Sequence, residues 1–405
     1  MIGADVNAAT VDLVKSGTEP FPGEHQLQEY LSDVVTSGLL TATTETSAAV
    51  SVSDVVVVAV PLFVDEEAAP DFRAMDAAAT AIGRGLRRGA LISFETTLPV
   101  GTTRKRLAPM LETESGLVAG RDIFIAFSPE RVFTGRVFED LRRYPKLVGG
   151  TNPASAERAV EFYEAVLDFD PRADLERENG VWDLGSAEAA ELAKLAETTY
   201  RDVNIGLANQ FARYADRVGL DIYNVIEACN SQPFSHIHQP GVAVGGHCIP
   251  VYPRLYLWND PEASIVRTAR EANSEMPAYA VSVLNSALNG MQGKRVAILG
   301  AAYRGGVRET AFSGVFPVVD EVSKRGGIAA VHDPMYTEDE IRALGLEPFR
   351  QSEPARGAII QTAHEEYRNW GAVDIPGIEV LVDGRRIARD ELWAPARVVA
   401  LGRPG

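Results

Sequence analysis

Short apolar runs alternate with amphipathic stretches along the first third of the chain. The runs are rich in valine and isoleucine, and they occupy residues 52–61, 90–97, 122–128 and 146–150. Between them, apolar side chains recur at helical spacing in residues 7–16, 27–37, 71–87 and 103–111. Buried strands that alternate with helices predict an α/β fold with a mainly parallel sheet and helices on both faces.

A long helical segment follows this first domain. Residues 153–167 and 186–218 are predicted helices, and in the second of them apolar side chains recur every three to four positions. A helix of about 33 residues spans about 50 Å, so we expect it to bridge two domains. A short helix is predicted over residues 221–229, and the Gly-, Pro- and His-rich residues 231–252 are predicted to form a structured loop.

A second α/β pattern begins near Gly293. A Gly-rich turn at 300–306 and a helix at 312–325 accompany predicted strands at 294–300, 329–333, 358–361, 379–382 and 397–401. This pattern predicts a second doubly wound domain with a smaller sheet. The predicted domains are therefore 1–184, 185–285 and 286–405.

Composition narrows the class of protein. Apolar residues make up 46% and charged residues 23% of the chain, which excludes a disordered or coiled-coil protein. A net charge of −17 argues against nucleic acid or an anionic membrane as the main partner. Only Cys229 and Cys248 are present, so a disulfide framework is excluded and a reducing cytoplasm is predicted. No apolar run is long enough for a transmembrane span, and the first residues lack the pattern of a signal peptide.

Polar residues follow several predicted strands of the first domain. Asp5, Thr97 and Glu130 each come just after a strand, where doubly wound sheets bind ligands. Each position also has an ordinary structural explanation. Asp5 and Glu130 could be surface acids, and the segment after Thr97 could cap the next helix through Thr102 or Thr103.

The segment 245–250, Gly-Gly-His-Cys-Ile-Pro, carries the most specific candidate chemistry. The glycines allow close approach of a ligand, and a cysteine in a loop is a candidate nucleophile, whereas Cys229 in an amphipathic helix fits an inert core residue. His247 could pair with Cys248, although neighbours in sequence often point apart, and the spacing of the histidines and Cys248 does not match a standard zinc site. Lys194 either occupies an exposed helical position or stabilises negative charge on a reacting oxygen.

Several motifs in a fixed order resemble the UDP-glucose/GDP-mannose dehydrogenase family. They are Asp5, 97–102 (TLPVGT), 128–131 (SPER), 144–150 (YPKLVGG), 191–209 (ELAKLAETTYRDVNIGLAN), 245–250 (GGHCIP) and 300–304 (GAAYR). The resemblance covers essentially the whole chain and is nearer to the UDP-N-acetylmannosamine and UDP-N-acetylglucosamine branch than to UDP-glucose dehydrogenases. It implies two Rossmann-like domains joined by a long central helix and a helical dimerisation domain, with UDP-sugar bound by the C-terminal domain and an active site that borrows a loop from the partner subunit of a homodimer.

The resemblance also implies an activity and a set of site residues. The activity is the NAD-dependent, four-electron oxidation of a nucleotide-sugar C6 alcohol to a carboxylate through a thiohemiacetal and a thioester on cysteine. The implied catalytic residues are Cys248 as nucleophile, Lys194 as the positive charge for reacting oxygens, Glu130 as acid/base and Thr97 as a positioning group. The implied cofactor-binding residues are Asp5, Pro61, Thr97 and Arg308. The implied substrate-binding residues are Glu130, Arg131, Val132, Lys194, Thr198, Gly245, Tyr303 and Arg304.

The sequence departs from the family pattern in ways that affect the expected activity. The G-x-G-x-x-G loop would lie about 20 residues before Asp5, so the first domain is predicted to be incomplete. Without an upstream β-α unit, the chain is predicted neither to bind NAD nor to turn over. Tyr252 and Thr198 replace a common Asp and Asn, and Phe234 stands where an Arg is common. Two alternatives therefore stay open, namely a non-catalytic binder of nucleotide sugar and a two-electron β-hydroxyacid-type dehydrogenase.

Overall fold

The chain divides into two compact units. The computed structural model describes residues 1–21, 23–65 and 69–403, and the units are Met1–Glu197 and Thr198–Gly405. This division falls within one helix, Ala187–Val218. The finer division into three domains at 184/185 and 285/286 stays a prediction. No helix in the described ranges is both long enough and apolar enough to cross a membrane.

The first unit alternates strands and helices as predicted. Its strands are β1 (Ile2–Ala4), β2 (Thr41–Thr43), β3 (Val55–Val58), β4 (Phe63–Val64), β5 (Pro70–Asp71), β6 (Leu91–Phe94), β7 (Phe124–Phe127), β8 (Lys146–Gly150) and β9 (Val181–Asp183). Its helices are α1 (Ala8–Lys15), α2 (Leu27–Thr36), α3 (Thr46–Val50), α4 (Arg73–Gly85), α5 (Ala108–Ser115), α6 (Val137–Arg143) and α7 (Pro153–Val166), and a π-helical turn at Thr103–Leu107 precedes α5. Helix α8 (Ala187–Val218) begins in the first unit and ends in the second.

The sheets of the first unit explain why its strands are apolar throughout. A five-stranded sheet has the order β3-β6-β7-β8-β9 and is parallel except between β7 and β8. Every residue of the inner strand β6 is buried, as expected for a strand covered on both faces. In the described part of the chain, β1 and β2 form a separate two-stranded parallel sheet, and β4 and β5 form a short antiparallel pair.

The second unit begins with helices and ends with a second parallel sheet. Its helices are α9 (Ile222–Asn230), α10 (Cys248–Asn259), α11 (Ser264–Ser274), α12 (Met276–Ala287), α13 (Val315–Lys324), α14 (Glu338–Ala343) and α15 (Asp390–Trp393). Its strands are β10 (Arg295–Leu299), β11 (Ile328–His332), β12 (Gly357–Ile360), β13 (Val380–Asp383) and β14 (Arg397–Ala400).

The second sheet is fully parallel and has the order β11-β10-β12-β13-β14. Apolar side chains of its strands pack against α12 and α13 on one face and against an aromatic cluster around Tyr367 and Trp393 on the other. The α/β prediction for this region is confirmed. With five strands, however, the sheet is not smaller than the main sheet of the first unit.

The loop predicted over residues 231–252 ends earlier than expected. Helix α10 already begins at Cys248, and Pro250 lies in its first turn. Proline is tolerated there because the first backbone N–H groups of a helix have no partner within the helix. Pro250 is therefore compatible with the start of a helix, although the sequence analysis counted it as a loop residue.

Gly149 of β8 permits close contact between that strand and the start of α8. A Cβ atom on Gly149 would lie 2.0 Å from the carbonyl oxygen of Ser186, which is backbone and cannot rotate away. We expect Gly149→Ala to lower the free energy of unfolding by about 3 kcal/mol, because overpacking against backbone forces the strand and helix apart. Urea unfolding measures this change.

The matched control is Gly180→Ala in the same unit, where no heavy atom lies within 4 Å of the added Cβ. This variant is expected to stay close to wild type. Equal stability of Gly149→Ala and wild type would contradict the account of the contact between β8 and α8.

Candidate active site

Two predicted cofactor residues lie at the carboxyl ends of neighbouring strands. Strands β3 and β6 pair in parallel, and the hydroxyl of Thr96 donates to the carbonyl oxygen of Val60 at 2.6 Å. This bond holds the segments with Pro61 and Thr97 together at one edge of the sheet. Doubly wound sheets bind nucleotides at this edge, so the position suits the predicted role of both residues.

Asp5 lies on the separate two-stranded sheet. It follows β1, and its carboxylate accepts a hydrogen bond from the backbone N–H of Asn7 at 2.7 Å, at the turn that leads into α1. The side chain is exposed. An exposed carboxylate at the end of a parallel strand can accept hydrogen bonds from the ribose hydroxyls of a dinucleotide. Asp5 therefore remains a candidate for binding the cofactor ribose.

Lys194 is buried, which makes the expectation of an exposed helical position wrong. The residue is only 7% exposed, and its ammonium group donates to the backbone carbonyl oxygen of Glu130 at 2.6 Å. Helix α8 and the segment after β7 therefore bring Lys194 and Glu130 together within the first unit. A buried ammonium group in this position can stabilise negative charge that develops on a substrate oxygen.

A buried lysine that the sequence analysis did not select contacts the Glu130 carboxylate. Lys146 at the start of β8 is 6% exposed, and its ammonium lies 3.2 Å from Glu130 and 2.9 Å from Glu95. Glu95 in turn accepts a hydrogen bond from the phenol of Tyr163 at 2.6 Å. Burial, together with the charge of Glu95, raises the pKa of Tyr163 well above its usual value. The available signal was a lysine at the start of an otherwise apolar buried strand, because a buried charge requires a partner.

The other predicted substrate residues of this unit line a small cleft beside Glu130. The cleft is bordered by Arg131, Val132, Tyr144 and Lys146. The guanidinium of Arg131 donates to Glu197 at 2.9 Å and to the carbonyl oxygen of Pro145 at 3.2 Å. Arg131 is thereby held in place, and Glu130, Arg131 and Val132 share one surface.

A second residue that the sequence analysis missed, Glu191, joins α8 to the loop after Thr97. Its fully buried carboxylate accepts hydrogen bonds from the N–H of Gly101 at 2.5 Å, the N–H of Thr103 at 2.8 Å and the hydroxyl of Thr103 at 2.7 Å. Thr102 and Thr103 therefore do not cap the next helix as predicted, since Thr102 donates instead to the carbonyl of Pro99. Burial raises the pKa of Glu191 to about 7, although the bonds from Thr103 and Gly101 oppose this. The sequence could have identified Glu191 by its position three residues before Lys194, because residues at this spacing lie on the same face of a helix.

In the second unit, Cys248 is exposed in the first turn of α10. The unbonded N–H groups at a helix start favour negative charge, such as a thiolate or a substrate oxyanion. Tyr252, which replaces the common Asp, lies one helical turn further on in the same helix. The exposed position supports a reactive thiol over the inert-core alternative for Cys248.

The two glycines before Cys248 pack closely against the loop that carries Tyr303. A Cβ atom on Gly245 would lie 2.7 Å from that of Tyr303, and one on Gly246 would lie 2.8 Å from the tyrosine ring. Gly246 also has a φ of +86° and donates its N–H to the carbonyl of Ala311 at 2.9 Å. Glycine is therefore required at both positions because a side chain there would clash with Tyr303. The structure brings Gly245, Tyr303 and Cys248 together.

His247 occupies the N-cap position of α10 without a capping hydrogen bond from its side chain, and its ring lies near an acid. Its Nε2 lies 3.9 Å from the Glu309 carboxylate, and its ring meets Phe312 edge to face. This contact favours the interpretation that His247 and Cys248 point apart. Within the described ranges, no group of three or more His, Cys, Asp or Glu side chains could hold a metal ion.

The remaining predicted residues of the second unit differ in exposure. Arg304 is exposed in the loop after β10, whereas Thr198 is buried. The guanidinium of Arg308 forms an ion pair with Glu340 and donates to the carbonyl of Met335 at 3.1 Å. Arg308 therefore already has protein partners at the position predicted to reach the cofactor.

Two doubly wound units with polar side chains at the carboxyl ends of their strands are typical of nucleotide-binding proteins. Models of the UDP-glucose/GDP-mannose dehydrogenase family match the NAD binding domain over residues 1–167, the central domain over 188–275 and the UDP binding domain over 297–390. The chain therefore belongs to the UDP-glucose/GDP-mannose dehydrogenase family.

Proteins that are similar in sequence support the assignment to this family. The chain is 32% identical to a UDP-N-acetyl-D-mannosamine dehydrogenase of Pyrococcus horikoshii over 402 residues, which cover 96% of this chain and 90% of the relative. It is 30% identical to an NDP-N-acetyl-D-galactosaminuronic acid dehydrogenase of Ralstonia solanacearum over 412 residues, with coverages of 99% and 92%.

Solved structures show the same architecture. The structure of UDP-D-ManNAc dehydrogenase from Pyrococcus horikoshii aligns with a TM-score of 0.88 at 29% identity and covers 100% of this chain and 93% of that one. A UDP-glucose dehydrogenase from Pyrobaculum islandicum aligns with a TM-score of 0.86 at 26% identity, with coverages of 99% and 92%. The predicted family, the α/β architecture, NAD as cofactor and the class of NAD-dependent nucleotide-sugar dehydrogenase are confirmed.

The buried Glu191 carboxyl makes stability depend on pH in a defined direction. Its pKa in the folded protein is raised from 4.5 to about 7, so between these values the folded state keeps a proton that the unfolded state has lost. The stabilisation is therefore complete below pH 4.5 and is lost as pH rises through about 7. We expect this group alone to lower the free energy of unfolding by about 3 kcal/mol between about pH 4.5 and 8.

Urea unfolding at a series of pH values tests this expectation in wild type, Glu191→Gln and Glu188→Gln. Glu191→Gln should lose this pH-dependent component, because glutamine does not titrate. Glu188 lies on the same helix in a partly exposed ion pair with Arg104, so Glu188→Gln should keep it. Parallel curves for wild type and Glu191→Gln would show that the carboxyl does not titrate near neutral pH.

Proposed function

We propose that this protein catalyses the four-electron oxidation of the C6 alcohol of a UDP-sugar to the uronate, through covalent intermediates on Cys248. The carrying observation is the exposed Cys248 at the start of α10, in a turn packed against Tyr303 of the UDP binding domain. A two-electron dehydrogenase requires no such nucleophile, whereas oxidation beyond the aldehyde proceeds readily through a thioester.

The steps assign one role to each side chain. The alcohol first loses a hydride and a proton to give the aldehyde, and the Cys248 thiolate adds to the aldehyde carbon to give a thiohemiacetal. Loss of a second hydride gives the thioester, and water then releases the carboxylate and regenerates the thiol. Lys194 stabilises negative charge on the reacting oxygen, and Glu130 accepts a proton from the attacking water. Thr97 positions the reacting groups at the strand edge.

Substrate binding is assigned to both units. Beside Glu130, Arg131 and Val132 supply the surface of the cleft after β7. In the second unit, Arg304 suits a diphosphate because the residue is exposed and a guanidinium can bind two oxygens at once. Tyr303 and Gly245 shape the adjacent turn, and Thr198 supplies a hydroxyl in place of the common amide.

The residues of the first unit fit parts of NAD. NAD, when bound, accepts the hydrides that leave the substrate carbon. The exposed carboxylate of Asp5 would hold ribose hydroxyls, and Pro61 and Thr97 would line the cofactor at the ends of β3 and β6. Arg308 would have to exchange its ion pair with Glu340 to reach the cofactor.

The proposed substrate is a UDP-N-acetylhexosamine. Named relatives act on an acetamido sugar, according to their names, and the sequence of residues 144–150 and 201–209 resembles that branch. Phe234, which stands in place of the arginine common in the branch, is 92% exposed. The cytoplasmic location predicted from the cysteines stays part of this proposal.

A substrate panel measures the reaction directly. With NAD and UDP-N-acetylmannosamine, UDP-N-acetylglucosamine or UDP-glucose, we expect two NADH for each sugar consumed, because the oxidation proceeds to the acid. A ratio of one NADH for each sugar, or no NADH with any of the three sugars, would contradict the proposal.

Cys248→Ser separates the proposed reaction from its alternatives. The variant should form no acid and should stop at the aldehyde level, because serine is a far weaker nucleophile than a thiolate. Mass spectrometry of the products measures this outcome, and Cys229→Ser serves as the control for loss of a thiol. Unchanged turnover in Cys248→Ser would favour a two-electron dehydrogenase, and UDP-sugar binding without turnover in wild type would favour a non-catalytic binder.

A homodimer is proposed through the exposed face of α8 in the second unit. Large side chains at helical spacing are exposed along it, namely Tyr200, Leu207, Phe211, Tyr214 and Val218, at 37–55%. A stripe of this kind is typical of a protein–protein contact. The proposed partner is a second copy of the chain, as the family resemblance implies.

Leu207→Glu tests this face. We expect the variant to shift the dimer toward monomer by at least about a hundredfold in the dissociation constant, because a charge would be buried in an apolar contact. Analytical ultracentrifugation measures the shift, with Val373→Glu, at an 85% exposed position of the same unit, as control. A monomeric wild type, or a Leu207→Glu variant that still dimerises like wild type, would contradict the proposal.

A further inference from the structure

A buried acid–histidine pair lies beneath the Gly-rich loop of the second unit. Asp333 follows β11 and His364 follows β12, and their side chains are 0% and 1% exposed. The Nε2 of His364 lies 3.0 Å from the Asp333 carboxylate. Although burial opposes it, the hydrogen bonds from His364 and from the N–H of Ala302 hold the pKa of Asp333 below its usual value. The carboxylate therefore persists as an acceptor at neutral pH.

The pair holds both ends of the loop 300–306. At its start, one oxygen of Asp333 accepts hydrogen bonds from the N–H of Ala301 at 2.8 Å and of Ala302 at 3.0 Å. At its end, the N–H of Gly306 donates to Nδ1 of His364 at 3.4 Å. Because Nδ1 accepts this bond, Nε2 carries the proton and donates to Asp333. One tautomer of a neutral histidine thus satisfies both contacts.

The held loop also supports the turn before Cys248. Tyr303 lies at the middle of the loop, between the backbone groups that the pair holds, and its side chain packs against Gly245 and Gly246. A shift of the loop would therefore move the surface on which this glycine turn rests. The contacts run from Asp333 and His364 to the start of α10 entirely within the second unit.

We infer that Asp333 and His364 are positioning residues that fix the loop 300–306 for the UDP moiety and, through Tyr303, the turn that carries Cys248. The inference rests on the proposed function, since it takes this loop as the segment that contacts UDP. Neither side chain touches the reacting atoms, because both are enclosed beneath the loop. Their effect is on binding and on the environment of the thiol.

Calorimetric titration with UDP alone tests the inference without turnover. We expect His364→Ala to weaken UDP binding by at least about tenfold, since two buried hydrogen bonds that order the loop are lost. His364→Gln, whose amide can donate to Asp333, should recover part of the affinity, and Asp333→Asn should weaken binding as His364→Ala does. The matched control is Tyr367→Phe, which removes a buried hydroxyl that bonds His332 in the same aromatic cluster but leaves the loop untouched.

A second measurement follows the thiol in wild type. The rate of Cys248 alkylation by iodoacetamide, resolved from Cys229 by peptide mass spectrometry, should fall at least about threefold when UDP is added. The fall should be absent in His364→Ala. Should that variant not fold, Asp333→Asn carries the same comparison, and the wild-type measurement stands without it.

Three results would overturn the inference. They are unchanged UDP affinity in His364→Ala, equal weakening in Tyr367→Phe at a matched loss of thermal stability, and alkylation of wild type that does not respond to UDP. The outcome is separable from that of the proposed reaction. If wild type forms no NADH but His364→Ala still weakens UDP binding, only the proposed reaction is refuted. If wild type turns over normally but His364→Ala leaves the UDP affinity unaltered, only the inference is refuted.

Discussion

The site of the first unit depends on a buried carboxylate that must be matched by donors. The Glu191 side chain is fully buried, so water cannot donate hydrogen bonds to its carboxylate oxygens. The backbone N–H groups of Gly101 and Thr103 have to donate them instead. This requirement fixes the loop after Thr97 against α8. Because Lys194 lies one turn further along that helix, the same constraint sets the height at which its ammonium reaches the carbonyl of Glu130.

Charge matching of this kind recurs where side chains gather at the ends of strands. Lys146 is flanked by Glu95 and Glu130, and in the second unit Asp333 is satisfied by backbone N–H groups and by His364. At the carboxyl edge of a parallel sheet, the loops that follow the strands carry backbone N–H groups that can donate hydrogen bonds. A buried acid that accepts these bonds therefore fixes the loop. The family models place Lys146 and its partners in the NAD binding domain, and Asp333 and His364 in the UDP binding domain.

Much of the fold could be predicted because its signals are local. The valine-rich runs became strands within a few residues of their predicted ends, and the periodicity over residues 186–218 became one helix, Ala187–Val218. The errors arose where a local pattern has two solutions. Pro250 fits a loop or a first helical turn, and a threonine after a strand can cap a helix or, like Thr103, bond a distant carboxylate.

The sequence by itself determined the class of fold, the family and the identity of the chemical groups. Ordered motifs carry that information because each requires particular residue types at a particular spacing. Only the tertiary structure decided which charges are buried and what matches them: Lys194 at Glu130, Glu191 beneath the Gly101–Thr103 segment, and Asp333 with His364. The physical reason is that desolvation and hydrogen bonding of a buried charge are set by groups far away in the chain, which no local pattern records.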